Sequence, residues 1–225
     1  MDIEGINAYL DTVNRANLVL LSNRPPHPVD ALFLHMRSFG DYTGLYELAE
    51  EMARTQVVKF IAVSNNEGEK FGSTVPFEAN PGKTECIRIL TEEQKIPPDK
   101  ILTPETMAHH TRQENDAFLK LSMQREFTSG VILAQPHQLL RAMLGMIQVM
   151  DMNKYLMKIY TAAPGYTDWQ EKVRGSQGKE FKPRVEHIPD EVKRVYEYQI
   201  AGQLASFERL FDYLNARGSE RFKLL

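Results

Sequence analysis

The sequence is poor in cysteine and holds only Cys86 among its 225 residues. An internal disulfide is therefore excluded, and the lack of disulfide pairing favours a reducing compartment. No apolar run approaches the ~20 residues that a membrane-spanning helix needs. The start MDIEGINAYLDTV lacks the basic and apolar regions of a secretory signal. We therefore predict a cytoplasmic protein without a membrane partner.

The chain also has little excess charge, with a formal net charge of −3. Proteins dedicated to nucleic-acid binding usually carry a basic balance, so we expect no nucleic-acid partner. Several motifs of known chemistry are missing as well. The stretch PGKTE ends like a phosphate-binding loop, but Phe77 stands where that pattern needs glycine. The six histidines show no zinc spacing, which predicts no metal site, and no G-x-S-x-G motif occurs.

Short apolar runs alternate with helical patterns along the chain. The runs VDALFL, VVKFIAV, GVILAQ and MKIYTAA, with a short strand at KILTP, have the composition of β-strands. Helical patterns separate them at 42–54, 84–95, 111–125 and 136–150. Continuous apolar strands that alternate with helices predict a mostly parallel sheet covered on both faces. We expect VVKFIAV and GVILAQ to be interior strands of this sheet.

This pattern divides the chain into three parts. Residues 1–24 form an N-terminal helical segment packed on the core, and residues 25–165 form the α/β domain. Residues 166–225 are a loop and a C-terminal helical extension of the same domain, with a helical segment expected at about 189–216. The polar stretch 164–189 is either a solvated connection or a flap near an anionic ligand.

Polar residues follow the strands at the ends where open parallel sheets bind ligands. We expect them to converge on one crevice, although loops at strand ends are commonly polar for other reasons. His35 and Asp41 follow the first strand, and the residues predicted to bind the ligand are, in chain order, Arg37, Ser38, Ser64, Asn65, Asn66, Gln135 and His137.

The helix that begins at Pro136 adds a cationic group to this set. His137 and Arg141 are four residues apart, so they lie on the same side of the helix. The positive end of the helix dipole favours an anion there, such as a phosphate or a carboxylate. The alternative is that Arg141 pairs with a surface carboxylate.

The helix that follows the third strand carries Glu114 and Asn115. Thr111 and Glu114 have the spacing of a capping box, which is a purely structural role. Glu114 also shares an arc with Ala117, Phe118 and Leu121, and a carboxylate on such an apolar face would be desolvated. Glu114 is therefore also a candidate general base or ligand-binding residue.

Five stretches in order resemble the successive motifs of the YdcF-like family, an uncharacterised α/β group that includes SanA-like and ElyC-like proteins. They are VDALFLH, IAVSNNEG, KTECIRILTEEQKIPPDKIL, HTRQENDAF and VILAQPHQLLRAM. The resemblance covers roughly residues 25–165, and IPDEVKRVYEYQ loosely resembles the tail of the cytosolic branch. It implies a Rossmann-like three-layer sandwich with a conserved polar cleft and a C-terminal helical segment.

The resemblance also implies site residues. The residues that match positions in the family motifs are Ser64, Glu85, Glu114, Asn115, His137 and Arg141. The chain departs from the family at His35-Met36 and at Asn65-Asn66, where glycines are usual. Asparagine tolerates a positive φ better than most residues, so the second turn is compatible with the family geometry.

Three functions are compatible with these features. The first is binding of an anionic, nucleotide-like small molecule, with or without catalysis, and S-adenosylmethionine is compatible with such a cleft. The second is a transferase or hydrolase of cell-envelope precursors, and the third is an interaction module without catalysis. No sequence feature identifies the ligand, the reaction or an oligomeric state.

Overall fold

The structure is a computed structural model. It describes residues 2–36, 41–42, 44–68, 82–175, 180–219 and 222. The predicted site residues Arg37 and Ser38 lie outside the described residues.

A parallel sheet forms the centre of the molecule. In the described part of the chain, its five strands lie in the order β3-β2-β1-β4-β5, and every neighbouring pair is parallel. The strands are β1 (Val29–Leu34), β2 (Val58–Val63), β3 (Ile101–Leu102), β4 (Ser129–Leu133) and β5 (Lys158–Ala162). β2 and β4 each pair on both sides, which confirms that VVKFIAV and GVILAQ are interior strands.

Helices cover both faces of this sheet. They are α1 (Ile3–Leu21), α2 (Leu45–Arg54), α3 (Gly82–Arg88), α4 (Thr111–Gln124), α5 (Pro136–Asn153), α6 (Ile188–Ile200) and α7 (Phe207–Arg217). Ala31 and Phe33 of β1 pack into a core shared with α1, α4, α5 and α7. Leu32 and Leu34 pack into a second core with α2 and α3. The alternation of side chains along β1 thus separates two hydrophobic layers, and the predicted Rossmann-like three-layer α/β sandwich is confirmed.

The strand order reverses direction between β1 and β4. From β1 the chain proceeds outward to β2 and β3, and then crosses back to β4 and β5. Such a switch point opens a crevice beyond the carboxyl ends of the two central strands. His35 and Gln135 follow these two strands closely, so they lie at this point of the fold.

The C-terminal helical segment predicted at about 189–216 consists of two helices. α6 ends at Ile200, and Gly202 adopts a φ of +66° in the turn that follows. Ser206 then caps α7 by accepting a hydrogen bond from the Arg209 N–H at 3.1 Å. Tyr213 of α7 anchors this extension to the strand that begins at Lys158, through two 2.6 Å hydrogen bonds with backbone atoms.

Two further predicted elements differ in detail. The helix expected at 84–95 is the short α3 followed by a π-helical turn, Ile89–Glu93. The polar stretch after β5 contains an antiparallel pair, β6 (Lys172–Arg174) and β7 (Phe181–Pro183). None of the described helices combines the length and the apolar character needed to cross a membrane.

Candidate functional site

A buried carboxylate–imidazole pair lies at the end of β1. Glu114 Oε2 is 3.2 Å from His35 Nδ1, and Glu114 Oε1 accepts a 3.0 Å hydrogen bond from the Met36 N–H. The glutamate is 5% exposed and the histidine 0%. Phe33, two residues before the histidine, holds the ring edge-on at a centroid distance of 4.9 Å. The pair thus joins α4 to the first residues beyond β1.

The predicted capping box at the start of α4 is wrong. The cap is His110, whose Nδ1 accepts from the Gln113 N–H at 3.4 Å, and Thr111 is already the first helical residue. The Glu114 side chain reaches β1 and not the helix terminus. A desolvated carboxylate with partners is what the position of Glu114 on the apolar arc predicts, and this alternative is confirmed.

Glu114 is ionised because its surroundings favour the charged form. Burial alone raises the pKa of this carboxyl, but His35, the Met36 N–H and the positive charge of Arg141 outweigh burial and lower the pKa. A carboxylate can only accept hydrogen bonds. His35 Nδ1 therefore carries the proton that points at Glu114, and the opposite ring nitrogen, Nε2, faces away from the carboxylate.

Two polar atoms beside this pair are buried without a protein partner. In the part of the chain that the structure describes, His35 Nε2 and Ser64 Oγ form no hydrogen bond. Both residues are 0% exposed. The pairing of Leu34 with Val63 places His35 and Ser64 at the next matched position, just beyond adjacent strands.

Arg141 does not present the exposed cationic group that its position on α5 predicts. It is 6% exposed, and its guanidinium donates to Glu191 of α6 at 2.6 and 3.3 Å. A third N–H of the same group donates to the Thr111 hydroxyl at 2.6 Å. The alternative of a carboxylate partner is confirmed, but the pair is buried and not at the surface. Arg141 therefore links α4, α5 and α6, and its charge is already neutralised.

Asn115, a predicted ligand-binding residue, makes a structural contact between two helices. Its amide donates to the Ala142 carbonyl at 3.0 Å, across the contact between α4 and α5. Gly145 allows this approach, because a Cβ there would lie 2.8 Å from Asn115 Nδ2. The asparagine thus sits between two packed helices.

Asp41 holds together the residues at the start of α5. Its carbonyl accepts from Gln135 Nε2 at 3.0 Å, and its carboxylate lies 4.0 Å from His137 Nε2. The carboxylate also accepts from Arg184 Nε at 2.9 Å. The edge of the Trp169 ring packs against His137, with the ring centroids 6.2 Å apart.

The contacts of Asp41 and His137 fix the polar stretch after β5 to the rest of the domain. Arg184 is 0% exposed and bonds Asp41, Glu171 at 2.9 Å and the Asp168 carbonyl. The described parts of this stretch, residues 164–175 and 180–189, are therefore more than a solvated connection. Arg184 and Trp169 hold them against Asp41 and the N-terminus of α5, beside the switch-point crevice.

The remaining predicted residues, Asn65, Asn66 and Glu85, bond to nearby parts of the chain. Asn65 donates to the Glu105 carbonyl at 3.0 Å and accepts from Lys83 Nζ at 3.0 Å. Asn66 donates to the Ala108 carbonyl at 2.7 Å and accepts from the Gly68 N–H at 2.8 Å. These two asparagines tie the loop after β3 to the turn after β2.

Glu85 is at the molecular surface. Its carboxylate accepts from Arg88 one turn later, at 2.7 and 2.8 Å, and this ion pair lowers the pKa of Glu85. No hydrogen bond joins it to His35, Glu114 or Ser64 within the described residues. Among those residues, no cluster of three or more histidine, cysteine or acidic side chains could hold a metal ion.

Four residues at the site were not among the predicted ligand-binding residues: His35 and Asp41, which were expected only to follow the first strand, and Arg184 and Glu191. His35 offers a local signal, because it is the first polar residue after the apolar run VDALFL. The roles of the other three follow only from hydrogen-bond partners far away in the chain. The partner of Asp41, for example, is Arg184.

Comparison with known proteins adds no relative. No protein-family model matches the chain, and no curated protein matches it. The resemblance to the YdcF-like family therefore stays a prediction that its motifs carry alone.

Proposed function

We propose that this protein binds a small nucleoside-like molecule in the crevice beyond β1 and β4. The observation that carries the proposal is the pair of buried atoms without protein partners, His35 Nε2 and Ser64 Oγ. One is an imidazole nitrogen, which accepts or donates according to its protonation, and the other is a hydroxyl that both donates and accepts. A buried polar group without a partner costs about 1–3 kcal/mol, so these atoms call for a ligand that bonds them.

The place of these atoms in the fold supports a ligand of this class. They follow adjacent strands at the switch end of a sheet whose strand order is that of dinucleotide-binding α/β domains. A fold alone does not determine a ligand, so the two buried polar atoms carry the proposal.

Among the residues that the structure describes, the charge balance at the site favours a neutral or zwitterionic ligand over a polyanion. Glu191 neutralises Arg141, and Asp41 and Glu171 neutralise Arg184. The ionised Glu114 lies at the same place. We therefore replace the expected anionic nucleotide by a nucleoside-like molecule, of which S-adenosylmethionine is an example.

A thermal-shift panel tests the proposal, with adenosine, S-adenosylmethionine, ATP and glucose 6-phosphate as probes. We expect adenosine or S-adenosylmethionine to raise the Tm, and ATP and the sugar phosphate to raise it less. Calorimetric titration of the best probe should then give Kd values for wild type and variants. Loss of one hydrogen bond worth about 1.4 kcal/mol weakens binding about tenfold, and this is the effect expected for His35→Asn and for Ser64→Ala.

Ser122→Ala is the matched control for Ser64→Ala. Ser122 is equally buried, but its hydroxyl already donates to the Phe118 carbonyl at 2.8 Å. Its loss should leave the Kd unchanged. If no probe stabilises the protein, or if the His35 and Ser64 variants bind like wild type, the proposal fails and an interaction module is favoured.

A further inference from the structure

We infer that Ser64, His35 and Glu114 form a nucleophile–base–carboxylate set that cleaves esters, with Ser64 Oγ as the nucleophile. The inference rests on the proposed function only in that a substrate must reach the same crevice. It goes beyond binding because it assigns a covalent reaction and gives each of the three side chains a separate role.

The Glu114–His35 contact supplies the first half of such a set. The carboxylate holds the proton on His35 Nδ1 at 3.2 Å, and its second oxygen is fixed by the Met36 N–H at 3.0 Å. The opposite ring nitrogen, Nε2, is then oriented and able to accept a proton. A histidine held in one tautomer by a buried carboxylate is the arrangement that activates a serine in hydrolases.

The strand register supplies the second half. Leu34 pairs with Val63 across β1 and β2, so His35 and Ser64 occupy the matched positions that follow. Neighbouring strands are about 4.8 Å apart. Phe33 and Ala62, two residues earlier on each strand, belong to the core layer of α4. By the same alternation, His35 and Ser64 lie on the face of the sheet that carries Glu114.

The hydroxyl of Ser64 is chemically distinct from those of two other serines near the sheet. Ser122 Oγ donates to the Phe118 carbonyl, and Ser129 Oγ donates to Asp30 at 3.0 Å. Ser64 Oγ is committed to no acceptor within the described residues. In ligand-free structures, the bond between a nucleophile and its base is often long and shortens when substrate binds.

The reaction balances with water as the only co-reactant. Ser64 Oγ attacks the ester carbonyl carbon and its proton passes to His35 Nε2. The carbon–oxygen bond to the alcohol then breaks, and the alcohol leaves with that proton. Water next attacks the acyl-serine with His35 as the base, which releases the carboxylic acid and restores the Ser64 hydroxyl. Glu114 stays ionised and stabilises the imidazolium.

Such a set would not be found by a motif search. The chain order is His35, Ser64, Glu114, and the serine ends a strand in the stretch AVSNN without the glycines of a nucleophile elbow. The arrangement of a triad is recognised by geometry and not by order in the sequence. Both reactive residues are 0% exposed, so a reagent reaches them only when the surrounding structure opens.

Labelling with diisopropyl fluorophosphate, a small electrophile that phosphorylates activated serines, tests the inference in the full-length chain. Intact mass and peptide mapping should show one adduct, on Ser64. General-base assistance contributes about 10²–10⁴-fold, so His35→Asn should slow labelling by about a hundredfold or more. Ser122→Ala should label at the wild-type rate.

Glu114→Gln separates a positioning role from a merely structural one. An amide cannot hold the imidazolium that forms during attack, so labelling should slow and its pH profile should shift. Circular dichroism should meanwhile show that each variant is folded. Labelling at equal rates in wild type and His35→Asn, or no adduct on Ser64 in wild type, overturns the inference.

The two proposals fail separately. Binding of adenosine or S-adenosylmethionine that depends on His35, without an adduct on Ser64, refutes the nucleophile and keeps the binding site. An adduct on Ser64 without any stabilising probe supports the nucleophile and refutes the nucleoside-like ligand.

Discussion

Replacing Arg141 by alanine should cause one of the largest single losses of stability in this fold. The guanidinium makes three hydrogen bonds, two to Glu191 and one to Thr111, and both ion-pair partners are more than nine-tenths buried. Removal of one partner of a buried pair costs about 3–5 kcal/mol, because the other charge stays buried. Arg194 still donates to Glu191 at 2.6 Å. We therefore expect a loss near the lower end, about 3 kcal/mol.

Urea unfolding followed by circular dichroism measures this loss directly. Arg194→Ala is the matched control, since it removes the more exposed cation from the same carboxylate and should cost about 1 kcal/mol or less. The double variant Arg141→Met, Glu191→Leu leaves no orphaned charge and should recover most of the stability. A loss within about 0.5 kcal/mol for Arg141→Ala, typical of a surface residue, would refute the buried ion pair.

Three other changes test separate parts of the structure. Tyr213→Phe removes the hydroxyl that bonds the backbone beside β5 on two sides, and it should lower the free energy of unfolding by about 1–3 kcal/mol in urea. Gly44→Ala should lower the Tm, because Gly44 has a φ of +74° and a Cβ there would lie 2.9 Å from Pro164 Cβ; an unchanged Tm would contradict this. Because the folded pKa of Glu114 is lowered, its ionised form stabilises the fold above the usual value of 4.5, and this contribution is lost as the pH falls through the folded pKa. The stability difference between wild type and Glu114→Gln should therefore shrink below pH 4.5 in urea titrations, and a constant difference would contradict the ionised pair.

Local sequence patterns were sufficient to predict the parallel sheet and its interior strands. The strands that contain Val58–Val63 and Ser129–Leu133 are continuous apolar runs, and such runs need protein on both faces and on both edges. The same logic located the crevice, since polar residues follow these strands. The break between α6 and α7 also has a local signal in Gly202 and Ser206, which the helical periodicity on either side obscured.

Long-range partners decided the roles of the site residues. Arg141 lies on α5 as predicted. Its ion-pair partner Glu191 comes 50 residues later in the chain and neutralises its charge. Asp41 and Arg184 are 143 residues apart. The periodicity of one helix predicts which face is buried and does not predict which side chain from another element will meet it. Capping was misassigned for the same reason, because Glu114 bonds to β1 and not to its own helix terminus.

A crystal structure of the protein with the probe that raises the Tm most tests the central claim directly. The account predicts density for the probe within hydrogen-bond distance of His35 Nε2 and Ser64 Oγ, beneath the segment that Arg184 holds to Asp41. The probe bound elsewhere, for example in the surface groove of about 380 Å³ lined by Leu18 and Phe211, with both buried atoms untouched, would contradict it.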